Sequence, residues 1–60
     1  MAAHDELKKQ FEIYLAENEK FTEKGVKLSA TRARNALSEI AKLCKERRIE
    51  ILQEKDAKAE

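Results

Sequence analysis

A single glycine, Gly25, and the absence of proline set the strongest limit on what this chain of 60 residues can fold into. Glycine and proline supply the tight turns of β-sandwiches and β-barrels, so a chain with one such residue favours long helices joined by few turns. Gly25 divides the sequence into two stretches. We therefore predict an all-α fold with two helices and one turn.

Apolar residues in the first stretch recur at intervals of three and four, which is the period of an amphipathic helix. The pattern predicts a helix over about residues 5–24, and Gly25 fits the left-handed position that often follows the end of a helix. The positions that form this apolar face, with one polar member, are Leu7, Phe11, Tyr14, Asn18 and Phe21.

The second stretch repeats this rhythm after a predicted turn over residues 25–28. We predict a helix over about residues 29–54, capped by Ser29 or Thr31, and a frayed C-terminus. The short connection implies an antiparallel helical hairpin, which is a single domain over residues 1–60. The predicted buried stripe consists of Ala30, Ala33, Leu37, Ile40, Cys44 and Ile51, with Ala36 and Leu43 beside it.

Each apolar stripe is wider than one partner helix can cover. A core of this size rarely offsets the conformational entropy of ordering the chain, and one cysteine cannot form a disulfide within it. We therefore expect two hairpins to associate as a homodimeric four-helix bundle. Ile49 and Leu52 lie off the main stripes, either as ordinary exposed apolar residues or as a second contact.

The net charge of +1 hides a separation of the two signs along the chain. Residues 25–48 contain seven Lys or Arg and two Glu, whereas the segments before and after them are acidic. At about 100° per residue, one sector of the second helix holds cations mixed with Thr31, Asn35 and Ser38, and its glutamates fall elsewhere. The cations of this basic stripe are Arg34, Lys42, Lys45 and Arg48.

Cations mixed with small hydroxyl and amide groups are typical of a surface that contacts nucleic-acid phosphates. A solvated helix face is the alternative for this stripe taken alone. Arg47 occupies a position where an apolar residue is due, so it either joins this surface, extends past the core into solvent, or pairs with Glu50 one turn away. The candidate nucleic-acid-binding residues are Lys27, Arg32, Arg34, Lys42, Lys45, Arg47 and Arg48.

Other kinds of chemistry find little support in the sequence. It contains no glycine-rich loop, catalytic triad or paired carboxylates, so we predict no enzyme activity, no cofactor and no small-molecule substrate. Cys44 is expected to be a buried small hydrophobe, and His4 has no partner at metal-ligand spacing. No apolar run is long enough to span a membrane, and we expect a cytoplasmic protein without a membrane partner.

The run from Glu23 to Arg34 resembles the bacterial histone-like proteins of the chlamydial linker-histone type. That pattern has Gly, one residue, Lys, small residues and Arg-x-Arg, followed by a charged helix that ends in Lys and Arg. The resemblance covers roughly residues 17–52 and is to short members without a lysine-rich tail. The matching residues are Gly25, Lys27, Ala30, Arg32 and Arg34, then Lys42, Lys45, Arg47 and Arg48.

This resemblance implies a nucleoid protein that binds and compacts double-stranded DNA without sequence preference. Combined with the basic stripe, it predicts DNA binding through the phosphate backbone. The alternative is a protein-interaction module, a helical hairpin or coiled-coil adaptor that binds no nucleic acid. Structured RNA is a third option, since phosphate contacts alone do not separate RNA from DNA.

Overall fold

Two α-helices packed side by side make up the protein in this computed structural model. The structure describes residues 2–57, with side chains over residues 2–56. Helix α1 spans Ala2–Lys24 and helix α2 spans Lys27–Ala57. The start of α1 lies beside Glu50 of α2, so the helices run antiparallel and form a rod of 50 × 14 × 13 Å. Residues 2–57 contain no strand, and the all-α prediction is confirmed.

The turn between the helices depends on the backbone of Gly25. Its φ is 67°, a left-handed conformation that costs other L-residues about 1–2 kcal/mol. The N–H of Gly25 donates to the carbonyl of Phe21 at 3.0 Å, and that of Val26 donates to the carbonyl of Lys20 at 3.3 Å. These bonds occupy carbonyls that the end of a helix otherwise leaves free. No atom lies within 4 Å of the place where a Cβ would stand, so glycine is needed for its conformation rather than its size.

Both helices extend further than the sequence predicts. Helix α1 begins at Ala2 instead of about residue 5, and α2 runs from Lys27 to Ala57 instead of over about 29–54. The predicted turn over 25–28 shrinks to Gly25 and Val26, because α2 already begins at Lys27. The carbonyl of Val26 accepts the N–H of Ser29 at 3.1 Å, at the start of that helix. Residues 58–60, within the predicted frayed end, lie outside the described residues.

The contact face of α2 is turned relative to the predicted buried stripe. Ser29, Ala33 and Ala36 are buried there, and Ile40 and Leu43 are half-buried. Small side chains at the first three positions let the two backbones approach closely. The larger side chains beside them therefore turn outwards, so the prediction of burial is wrong for Leu37, Cys44 and Ile51, which are exposed.

These outward-turned residues form a continuous apolar surface along one side of the hairpin. In α2 it repeats every seven residues, at Ala30, Leu37, Cys44 and Ile51. In α1, Tyr14 and Phe21 line one groove together with Ala30 and Leu37, and the ring of Phe11 stacks on Tyr14 with centroids 6.2 Å apart. We call this surface the apolar flank; its residues are Phe11, Tyr14, Phe21, Ala30, Leu37, Cys44 and Ile51.

The apolar flank is partly exposed to water in the single hairpin. Its four largest aliphatic and phenyl side chains are between 43% and 51% exposed. An apolar heptad repeat of this kind is the pattern by which helices pack against further helices. The hairpin therefore covers only one of the two apolar faces that its sequence encodes.

Candidate nucleic-acid interface

Four of the seven candidate residues point freely into solvent. They are exposed, and they form no ion pair with any residue from 2 to 56. We call them the outward cations: Lys27, Arg34, Lys45 and Arg48.

The outward cations lie on the side of α2 that faces away from α1. At 100° per residue, the first three point about 130–155° away from the mean direction of the buried Ser29, Ala33 and Ala36. Arg48 points about 95° away, at the edge next to the apolar flank. From Lys27 to Arg48 the row is about 31 Å long at a rise of 1.5 Å per residue. A straight row of positive charge on a rigid helix is thus presented to solvent.

Neutral polar groups accompany the middle of this row. Arg34 lines a shallow groove with Thr31 one turn before it, the adjacent Asn35, and Ser38 one turn after it. Hydroxyl and amide side chains can also donate hydrogen bonds to phosphate oxygens, beside the stronger charged donor of the guanidinium. This part of α2 can therefore surround an anion with both charged and neutral donors.

Arg47 is placed quite differently from its neighbour Arg48. Its side chain is 23% exposed and lies in the contact face, where Nη1 donates to Oε1 of Glu50 at 3.1 Å and to Oε2 of Glu54 at 2.8 Å. The hydrogen bond to Glu50, followed by that to Glu54, raises the pKa of Arg47 above its ordinary value. The pairing with Glu50 that the sequence offers as one alternative is confirmed.

The cluster of Arg47, Glu50 and Glu54 also holds together the end of the hairpin that lies opposite the Gly25 turn. Oε2 of Glu50 accepts a hydrogen bond of 3.4 Å from the backbone N–H of Ala3. The first N–H groups of a helix lack partners within the helix, and its positive dipole end attracts a carboxylate. Arg47 thus holds Glu50 in position, and Glu50 caps the start of α1.

Arg32 and Lys42 are partly engaged. Nη1 of Arg32 lies 4.0 Å from Oε1 of Glu17 in α1, an ion pair that crosses the hairpin on the side opposite the apolar flank. Nζ of Lys42 lies 3.6 Å from Oε1 of Glu39, and the two side chains are 72% and 51% exposed, respectively. Such a surface pair contributes only about 0–1 kcal/mol, so Lys42 remains available to another anion.

The outer side of α1 carries the opposite charge. Four exposed carboxylates fall within about 40° of one another on the helical wheel, facing away from α2. None of them forms an ion pair with another described residue. We call this surface the acidic back: Asp5, Glu12, Glu19 and Glu23. The outer side of α1 is therefore mainly negative, with Lys8 beside the four carboxylates, whereas the outer side of α2 is mainly positive.

Comparison with known protein families gives a match to this chain. Residues 1–57 match the family model described as Histone H1-like protein Hc1. The chain belongs to this family. The resemblance drawn from Gly25, Lys27 and the arginines after them is thereby confirmed, and the match extends over α1 as well. No curated protein and no solved structure matches the chain.

The Hc1-family hairpin offers no other obvious type of site in its described part. Residues 2–57 contain no group of three or more His, Cys, Asp or Glu side chains that could hold a metal ion. Neither helix has, over those residues, a stretch apolar and long enough to cross a membrane.

Sequence reasoning missed two partners of the candidate arginines. Glu54 follows Arg47 by seven residues, two turns along the helix, which is further than the usual helical ion pair. Glu17 meets Arg32 only through the antiparallel register of the two helices. The only signal in the sequence for the Arg47–Glu54 pair is that the two residues, seven apart, occupy the same heptad position.

Proposed function

We propose that this Hc1-family hairpin is a histone-like protein that binds double-stranded DNA through its phosphate backbone, without reading the base sequence. Membership of the family supports a histone-like DNA-binding role in general. The observation that carries the finer proposal is the row of outward cations, none of which is neutralised by a described residue. A bacterial nucleoid in the cytoplasm is the location in keeping with this role.

The physical basis of binding is the release of condensed counterions. Each cation that neutralises a phosphate frees a counterion, which favours binding and makes it weaken as salt rises. Lys27, Arg34, Lys45 and Arg48 supply this contact, with Lys42 beside them and Arg32 at the margin. We assign Arg47 to the fold, because its guanidinium is already bonded to Glu50 and Glu54.

The acidic back gives the complex its orientation. Carboxylates on α1 repel the phosphates, so the duplex lies along α2 and away from α1. Lys, Arg, Ser and Thr contacts to phosphate position a protein without specifying bases. The proposal is therefore one of uniform affinity for unrelated duplexes.

We also propose that the apolar flank is covered by a second copy of the chain, which gives a homodimeric four-helix bundle. Covering partly exposed Phe21, Leu37 and Ile51 removes apolar area from water, and each Å² contributes about 25 cal/mol. Arg34 lines the edge of the groove formed by this flank, so dimerisation brings cations of both copies near one interface. Two rows of outward cations then contact one duplex or bridge two.

A gel-shift titration with two unrelated duplexes tests the proposed function. The variant Arg34→Gln/Lys45→Gln/Arg48→Gln removes three outward cations. Its matched control, Lys8→Gln/Lys9→Gln/Lys24→Gln, removes the same charge from α1. We expect the first variant to lose most of its affinity for both duplexes and the control to lose far less. Equal losses would mean that only net charge matters, and unequal binding of the two duplexes by the unmodified protein would contradict uniform affinity.

A protein-interaction module remains the second candidate, and the exposed apolar flank is the observation that favours it. On that account the flank receives a different protein instead of a second copy. Absence of duplex binding at low salt, together with a monomeric hairpin, is the result that would select it.

A further inference from the structure

A small apolar patch lies among the outward cations near the end of α2. Ile49 and Leu52 are 51% and 58% exposed, and they line one shallow depression together with Lys45 and Arg48. The four residues are spaced at one and two helical turns, so they form a single spot on the outer side of α2. They lie on a different side of the helix from Ile51, which belongs to the apolar flank.

The patch continues the line of the outward cations. Ile49 lies about 22 Å along the helix from Arg34, at a rise of 1.5 Å per residue. Because the N–H of Ala3 contacts Glu50, the part of α2 beyond Ile51 extends past the start of α1. Ile49 therefore lies beside the start of α1 and Leu52 lies just past it, and both point away from the contact face between the helices.

We infer that Ile49 and Leu52 form a wedge that enters the minor groove of the bound duplex and partly separates two stacked base pairs. This inference rests on the proposed function. Aliphatic side chains that enter a base step unstack it and bend DNA by about 20–90°, while flanking cations hold the phosphates. Lys45 and Arg48 are those cations, since they line the same depression.

The charge around the patch argues for DNA as its occupant. The lining of this depression has two cations and no carboxylate, which complements the negative charge of a phosphate backbone. A duplex that lies along Lys27, Arg34 and Lys45 passes directly over Ile49. The nearest acids are Glu46, one turn before Ile49 and about 60° to one side, and Asp56, one turn beyond Leu52, and they bound the apolar spot.

The test compares two double variants of identical composition. Ile49→Ala/Leu52→Ala removes the wedge. Ile13→Ala/Leu28→Ala removes one isoleucine and one leucine that are 39% and 58% exposed and that lie outside both the patch and the apolar flank. The bend is read at saturating protein from energy transfer between dyes at the two ends of a duplex of about 30 base pairs. Unstacking is read from the fluorescence of 2-aminopurine placed within the duplex, and affinity is read from gel shifts.

The unmodified protein and the Ile13/Leu28 control are expected to bend the duplex and raise the 2-aminopurine signal. The Ile49/Leu52 variant is expected to lose both effects and to keep its affinity within about tenfold, because the absence of the apolar wedge also removes the cost of unstacking the bases. Its sedimentation is expected to stay unchanged.

Three results would overturn the wedge. The first is binding by the unmodified protein without a bend, which leaves the proposed function intact. The second is an equal loss of bend in both double variants. The third is an unchanged bend together with a changed sedimentation of the Ile49/Leu52 variant, which makes the patch a contact between copies of the chain. Failure of the unmodified protein to bind any duplex would instead remove the proposed function itself.

Discussion

Nη1 of Arg47 donates a hydrogen bond of 2.8 Å to Oε2 of Glu54, two helical turns further along α2. Arg48, the next residue, forms no ion pair with any described residue. Two adjacent arginines that look alike in the sequence thus face different surroundings, one the contact face and the other solvent. The difference separates a residue that supports the fold from one that is proposed to bind DNA.

Arg47→Gln and Arg48→Gln each remove one positive charge, but the first is expected to affect stability and the second to affect DNA binding. Arg47→Gln leaves Glu50 and Glu54 without their partner and is expected to lower the thermal midpoint. Arg48→Gln is expected to leave the midpoint unchanged and to reduce the salt dependence of DNA binding by about 0.9 in slope, the value for one phosphate contact. Thermal unfolding followed by circular dichroism and gel shifts at several salt concentrations measure the two effects. A lower midpoint for Arg48→Gln alone would reverse the assignment.

Gly25→Ala is expected to destabilise the hairpin by about 1–2 kcal/mol, the cost of a left-handed conformation for a residue with a Cβ. Space is not the reason, since nothing lies within 4 Å of the added Cβ. Gly25→Asn is the matched control and is expected to cost less, because asparagine tolerates this conformation better. Urea denaturation of the three proteins gives the comparison. A loss as large for asparagine as for alanine would show that the turn depends on something other than φ.

Much of the fold can be predicted from the sequence, because helix period and chain breakers are local properties. Gly25 sets the turn, and the apolar period predicts two helices. The rotation of α2 was not predictable, because Ala36 is buried and Leu37 exposed by the way α2 packs against α1, and the pattern of a single helix does not encode that packing. The same holds for the ion pair of Arg32 with Glu17, which depends on the register between the helices.

The apolar flank predicts self-association that depends on Leu37. Leu37→Gln places a polar group in the proposed dimer contact and is expected to weaken dimerisation by at least about tenfold, since burying a leucine contributes about 1.5–3 kcal/mol. Leu28→Gln, on another side of α2, is the control and is expected to have little effect. Sedimentation equilibrium at micromolar concentrations measures both. A stable monomer of 6.9 kDa for the unmodified protein would contradict the four-helix bundle.

The acidic back predicts a gain of affinity when its charge is removed. Glu12→Gln/Glu19→Gln abolishes two repulsive charges on the far side of the hairpin and is expected to tighten DNA binding at low salt. Screening acts over about 30 Å at 0.01 M salt and about 8 Å at 0.15 M, so the gain is expected to vanish at the higher concentration. Gel shifts at the two concentrations provide the measurement. A gain of equal size in both would place these carboxylates in contact with the DNA.

The salt dependence of duplex binding tests the central claim most directly. If the outward cations neutralise phosphates, the logarithm of the binding constant falls linearly with the logarithm of salt, by about 0.9 for each phosphate. Lys27, Arg34, Lys45 and Arg48 together predict a slope of about −3 to −4 for each hairpin, twice that for a dimer on one duplex, and about one less per chain for Arg34→Ala. Unrelated duplexes of equal length are expected to give the same line. A binding constant indifferent to salt, or an Arg34→Ala variant with the slope of the unmodified protein, would contradict the account.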